Sequence, residues 1–266
     1  MKEKLLKILL SSFFIFILSF PVRAQYYRVY GWETPKRGWM ELTLWNKGIV
    51  NSDLTFEREG QEFSREGLFL HSAEVEYGVT DKFAVGVYGD FRNSGDTDLQ
   101  FYRFRAVARY SLFSKFERFF NTALYLEYYL PSSNVPDPAE VEMRLILQKD
   151  IGDFRLKLNP AVSMDTSGEE VKEGINGNFF SGIYWRRYYP VQLGVEYYGR
   201  YGQIRHLPPA SEQEQVLFGV VDLRFFRGFK WQLGAGTGLT QGSDDFLVKS
   251  ILTYEFGTIR PSRQRR

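Results

Sequence analysis

The sequence has no cysteine and only 2 histidines. That excludes a disulfide framework, a thiol nucleophile and the usual histidine and cysteine ligand sets of zinc, and no cofactor is expected. Charge of one sign is also missing, with 34 Lys and Arg against 32 Asp and Glu. Lys2, Lys4, Lys7 and Arg23 stand against Glu3 alone at the start, so the remainder is close to neutral and there is no electrostatic case for nucleic acid. Nor is there a run of about 18 consecutive apolar residues to make a membrane helix. The apolar stretch Ile8 to Phe20 is too short, and its position after the leading lysines and before Val22-Arg23-Ala24 is that of a secretory signal peptide over residues 1–24, cleaved after Ala24.

What the chain does have is rings: aromatics make up 17%, although the mean hydropathy is −0.32. A soluble core hides its rings among aliphatics, whereas a membrane barrel alternates apolar with polar and arrives at this average. The period is two almost throughout. Twelve segments follow this pattern: 39–46, 68–77, 83–92, 99–112, 120–130, 140–149, 154–163, 177–186, 191–199, 213–225, 229–239 and 246–256. In the fourth, Phe104, Ala106, Ala108 and Tyr110 oppose Arg103, Arg105 and Arg109; in the sixth, Met143, Leu145 and Leu147 oppose Glu142, Arg144 and Gln148. Pro160 removes a ladder donor from the seventh segment and predicts a bulge there.

The connections alternate, averaging about 11 residues on one side and about 5 on the other, the plan of a transmembrane barrel with long extracellular loops and short periplasmic turns. The fold class is therefore all-β: a closed antiparallel transmembrane β-barrel of 12 strands, after a cleaved signal peptide. Residues 25–38 read as a periplasmic N-terminal segment, 39–256 as the barrel and 257–266 as a basic C-terminal tail. A soluble sandwich would have to conceal its edge strands, whereas closure removes them. Outward rings also sort into two belts suited to headgroup level. Tyr77, Phe83, Tyr110, Phe154, Trp185, Trp231, Tyr254 and Phe256 form the short-turn belt; Phe69, Phe91, Tyr102, Tyr128, Phe179 and Tyr197 form the long-loop belt.

Glu33-Thr34-Pro35 with Gly38 and Glu41, Glu74-Val75-Glu76-Tyr77-Gly78-Val79-Thr80-Asp81, Gly194-Val195-Glu196-Tyr197-Tyr198-Gly199, Gln232-Leu233-Gly234 with Gly238-Leu239-Thr240, and Leu252-Thr253-Tyr254-Glu255-Phe256 carry a resemblance. In these motifs the chain resembles the MetA-pathway of phenol degradation family of outer-membrane β-barrel proteins. The resemblance implies a bacterial outer-membrane location and passage of small compounds, hydrophobic or aromatic ones among them; it implies no catalytic residues. Barrels of this kind usually end on the aromatic of the last strand, and here a tail with Arg260, Arg263, Arg265 and Arg266 follows Phe256.

With the apolar faces toward lipid, the lumen-lining set is Glu41, Glu74, Glu76, Asp90, Arg103, Arg105, Arg109, Glu127, Glu142, Arg144, Arg155, Lys157, Glu196, Asp222, Arg224, Lys230, Lys249 and Glu255. Twelve strands enclose a backbone radius of roughly 12 Å, so any lumen is narrow. Two readings of the interior stay open: opposed acidic and basic walls that select solutes, or charges that pair and fill the space. The expected partners are outer-membrane lipid, the outer-membrane assembly machinery and a small-molecule solute of unknown identity. A structural or surface-interaction protein with a plugged lumen is one alternative to a channel or porter. A barrel enzyme is the weaker one, because the adjacent His71 and Ser72 of a strand point to opposite faces and His206 lies in a loop with Pro208 and Pro209. The run Gly234-Ala235-Gly236-Thr237-Gly238 has no helix after it to cradle phosphate; its small residues instead leave room for neighbouring side chains in the lumen.

Overall fold

The computed structural model describes residues 27–58, 61–94, 99–113, 119–133, 137–168, 171, 174–226 and 228–257. The signal peptide, its cleavage site and the tail beyond residue 257 lie outside the described residues. Twelve strands close a barrel: β1 (Trp39–Asn51), β4 (Leu68–Gly78), β5 (Phe83–Ser94), β6 (Gln100–Phe113), β7 (Asn121–Pro131), β8 (Glu140–Ile151), β9 (Phe154–Asp165), β10 (Ile175–Trp185), β11 (Val191–Gln203), β12 (Glu214–Leu223), β13 (Phe229–Gly238) and β14 (Phe246–Gly257). Each pairs antiparallel with its neighbours, and β1 pairs with both β4 and β14, so no edge is left.

The alternation read from the sequence is the alternation of burial. In β4, Leu68, Leu70, Ser72, Glu74 and Glu76 are buried inside, while Phe69 and Tyr77 are exposed on the outside. Leu42, Leu44, Val87, Leu124, Leu126, Met143, Leu145, Ile183 and Val195 continue that exposed apolar exterior around the wall. It is a surface that water would disfavour and hydrocarbon accommodates.

The structure differs from the sequence reading in four places. The first long loop contains a small hairpin, β2 (Thr55–Arg58) with β3 (Gln61–Ser64), and β1 runs on to Asn51 to meet it. Pro160 makes no bulge: its β9 ladder is continuous with β10, and the pairing with β8 lapses between Arg144–Ala161 and Leu147–Leu158 and resumes in the same register. A ring that cannot donate interrupts a ladder without needing an extra residue. Tyr102 leaves the predicted outer belt, because an irregularity after Asp90, which pairs with Arg103, lets Phe91 pair with Phe101; Tyr102 and Arg103 are then both buried. The largest difference concerns the stretch expected in the periplasm. Its last residues do sit at the short-turn rim, where Gly38 N–H donates to Gly78 O and Arg37 N–H to Asp81. Tyr27, Val29 and Tyr30, however, are buried inside the barrel.

Candidate functional site

The lumen is built by strand parity, which brings like charges opposite one another as well as unlike ones. Glu41 lies across from Glu76 on β4 and Glu255 on β14, and Glu127 lies across from Glu142. Carboxylates so placed repel unless cations stand between them. The arginines of β6 supply most of these. Arg103 Nε donates to Asp90 at 2.8 Å, and Arg105 reaches Asp90 at 3.0 Å and Glu127 at 2.6 Å. Arg109 holds Glu76 at 2.8 Å, while Arg144 pairs with Glu142. Ser72, Tyr125 and Tyr129 donate further hydrogen bonds to Asp90 and Glu127. These wall charges pair with one another.

Besides Lys230 of β13, 4.0 Å from Glu41, a further cation comes from outside the wall. Arg28 stands 3.5 Å from Glu41 and 3.6 Å from Glu74, its guanidinium 5.0 Å from the ring centres of both Tyr30 and Trp45. Glu74 also accepts from Trp45 Nε1 at 3.0 Å and Tyr88 at 2.5 Å. The segment that carries Arg28 pairs with no strand; wall side chains take its backbone groups one by one. Lys249 donates to Tyr27 O at 3.1 Å, Arg109 to Gly31 O at 3.1 Å and Glu33 O at 2.5 Å, and Ser111 to Trp32 O at 2.9 Å. Asn159 both accepts from Tyr30 N at 2.8 Å and donates to Tyr30 O at 3.2 Å. This satisfies buried backbone that a ladder would otherwise have to satisfy. The Tyr27 hydroxyl donates to Glu214, which opens β12 at the long-loop end, so residues 27–33 traverse most of the lumen.

The other side of the wall is mostly apolar. Val216, Phe218 and Val220 of β12, Leu247 of β14 and the rings of Phe180, Tyr184 and Tyr198 are buried against Tyr27 and Val29. Inward glycines make room for them: a Cβ on Gly236 would come within 2.7 Å of the Phe218 ring. The buried charges here are few. Glu196 accepts from Tyr184 and Tyr198, both at 2.5 Å, from Gln232 at 3.1 Å and from Lys249.

Most of the expected lining residues thus meet in two networks. Lys157 reaches Val29 O at 3.4 Å, Asp222 holds Gln232 at 2.8 Å, and Lys230 pairs with Glu255 toward the short-turn rim. Arg155 is drawn to Asp150 at 2.8 Å, also at that rim. Arg224 lies just past the end of β12, in the turn, and so falls outside the wall proper. His71 and Ser72 do face opposite sides, His71 bonding Asn46 at 2.7 Å on the exterior and Ser72 bonding Asp90 within. Sequence reasoning missed Tyr27, Arg28 and Tyr30, and also Trp45, Tyr88 and Asn159 as their receptors. A run of rings ahead of the first strand was the available signal.

The same architecture occurs in solved outer-membrane channels. The chain superposes on an outer membrane channel of the COG4313 type from Pseudomonas putida F1 with a TM-score of 0.59 at 13% identity, over 86% of this chain and 100% of that one. The KdgM porin gives 0.56 at 9% identity over 81% and 99%, and the NanC porin 0.52 at 7% over 83% and 100%. At these identities the shared property is the fold. No protein-family model matches the chain, and no curated protein matches it in sequence.

Proposed function

We propose that the chain is a passive channel of the bacterial outer membrane for small solutes, held closed by its own N-terminal segment. One observation carries this reading: the ladder closes through β1 and β14 without residues 27–33, so the occupant of the lumen is removable and the wall is not. The exposed apolar exterior supports a lipid surround, and insertion by the outer-membrane assembly machinery follows from that location. Kinship with the MetA-pathway family is supported by the short motifs named above. A solute with an apolar or aromatic part is supported by the strip of Phe180, Tyr198, Val216 and Phe218, which Tyr27 and Val29 cover. A purely structural barrel is the second reading, favoured by the density of paired charge. Planar-bilayer recording separates the two. Deleting residues 25–33 should raise single-channel conductance several-fold over the full chain, and should shift selectivity toward cations because Glu41 and Glu74 lose Arg28. A folded deletion variant that conducts no better than the full chain would favour the structural reading.

A further inference from the structure

Two neighbouring short turns differ from the rest of that rim. Arg186 to Pro190 joins β10 to β11, Arg224 to Gly228 joins β12 to β13, and Arg224 N–H donates to Pro190 O at 3.1 Å, so the two form one surface. Large rings project from it: Tyr188 is 63% exposed, Tyr189 75% and Phe226 67%. They are continuous with the outer face of the barrel, since Tyr188 packs edge-on against Trp185 at 5.1 Å and Phe226 lies 5.0 Å from Phe229. Near the adjoining turn, Asp150 at the end of β8 holds Arg155 at 2.8 Å and Arg186 at 3.3 Å, while Asp153 in the turn makes no ion pair with Arg187 or Arg224 among the described residues. Arg187 and Arg224 have no carboxylate within 4.0 Å among the described residues.

We infer that these paired turns bind the phosphodiester headgroup of an anionic phospholipid in the leaflet at the short-turn end. The inference rests on the membrane location proposed above. Rings with an apolar body and exposed edge belong at the level of glycerol and headgroup, and two arginines with no carboxylate partner among the described residues supply the fork geometry a phosphate accepts. A free anion would use the arginines and leave the rings in water; a zwitterionic headgroup brings its own cation and gains less from them. The charge and the apolar rim together therefore select an anionic lipid.

The test uses the full chain in detergent with equal amounts of phosphatidylglycerol and phosphatidylcholine of matched acyl chains, and reads the retained lipid by native mass spectrometry. The wild type should retain phosphatidylglycerol in preference. Arg187→Gln with Arg224→Gln should lose that preference by about fivefold per arginine, while Arg205→Gln, exposed in the loop after β11 at the opposite rim, should keep it. Tyr188→Ala with Phe226→Ala should lower retention of both lipids. Heat-modifiable electrophoretic mobility establishes that each variant is folded. A folded wild type without preference, an unchanged preference in the double arginine variant, or an equal loss in Arg205→Gln would each overturn the site and leave the barrel reading standing. A wild type that folds in neither detergent nor vesicles would overturn both.

Discussion

The two sides of the lumen solve the same problem in different ways. From β1 through β8 the wall carries most of the ladder of arginines and carboxylates, with tyrosines bonded between them, while Ile49, Leu68, Leu70 and Tyr102 join the apolar cluster; from β10 through β14 it is mainly rings and aliphatics around the buried carboxylate Glu196. The N-terminal segment is divided to match. Tyr27 and Val29 pack on the apolar side, whereas Arg28 reaches the acids and Tyr30 stands among Trp45, Tyr88 and Tyr125. Redundancy of counter-charge at Asp90 is what separates the sides. On the charged side Asp90 pairs with two arginines and Glu74 and Glu127 each accept from several groups, although Glu76 and Glu142 rest on Arg109 and Arg144. On the apolar side Glu196 has several donors but is the one carboxylate paired with Lys249 among the described residues.

The largest effect is expected where that redundancy is absent. Glu196→Gln removes the counter-charge of Lys249, which is buried among Tyr198 and Phe218, and should cost about 3–5 kcal/mol. Denaturant unfolding of the refolded barrel would measure it; a loss no greater than that from Glu127→Gln on the ladder side would erase the distinction. Next comes the outer face, which should be indifferent to which side of the lumen lies behind it. Leu124→Arg, at an exposed position of β7, should cost about 2–4 kcal/mol in lipid near the midplane, and the same substitution at Val195 of β11 should cost a similar amount. Unequal penalties in vesicle refolding would mean that the inner difference reaches the lipid face. The smallest effect sharpens the comparison at the segment itself: Tyr27→Phe loses only the hydrogen bond to Glu214 and should cost about 1 kcal/mol, while its ring keeps its place 4.8 Å from Tyr198 and 5.1 Å from Phe218. Brief openings in bilayer recordings should become more frequent without a change in the open level.

The wall was legible from the sequence because strand parity repeats at every second residue. Glu74, Glu76, Arg103, Arg105 and Arg109 needed only the choice of which face meets lipid, and the exposed aliphatics between them make that choice. Segment ends were displaced where a hairpin or a bulge intervenes, as at Asn51 and Tyr102. Pairing was harder to read. Register places Glu41 opposite both Glu76 and Glu255, a contact between residues far apart in the chain that no local pattern encodes. The segment was hardest, because Tyr27 to Trp32 has no ladder and no period; its order comes from side chains spread around the wall, on β1, β4, β6, β8, β9, β12 and β14. The signal available was compositional. Tyr26, Tyr27, Val29, Tyr30 and Trp32 are too apolar for a solvated tether, and a stretch with that many rings calls for a place to bury them.

The path of the segment also bears on how the molecule is put together. β1 enters the wall at the short-turn rim, yet the residues before it run back through the ring toward the opposite mouth, and the ring is sealed by its first and last strands. Those two strands both hold the thread, Glu41 of β1 taking Arg28 and Lys249 of β14 taking Tyr27 O. The seam and its contents therefore share contacts on both strands. A chain that zips β14 to β1 with the thread already lying across them closes around a finished interior, and one that zips first must draw seven residues through an opening lined with their own unsatisfied receptors.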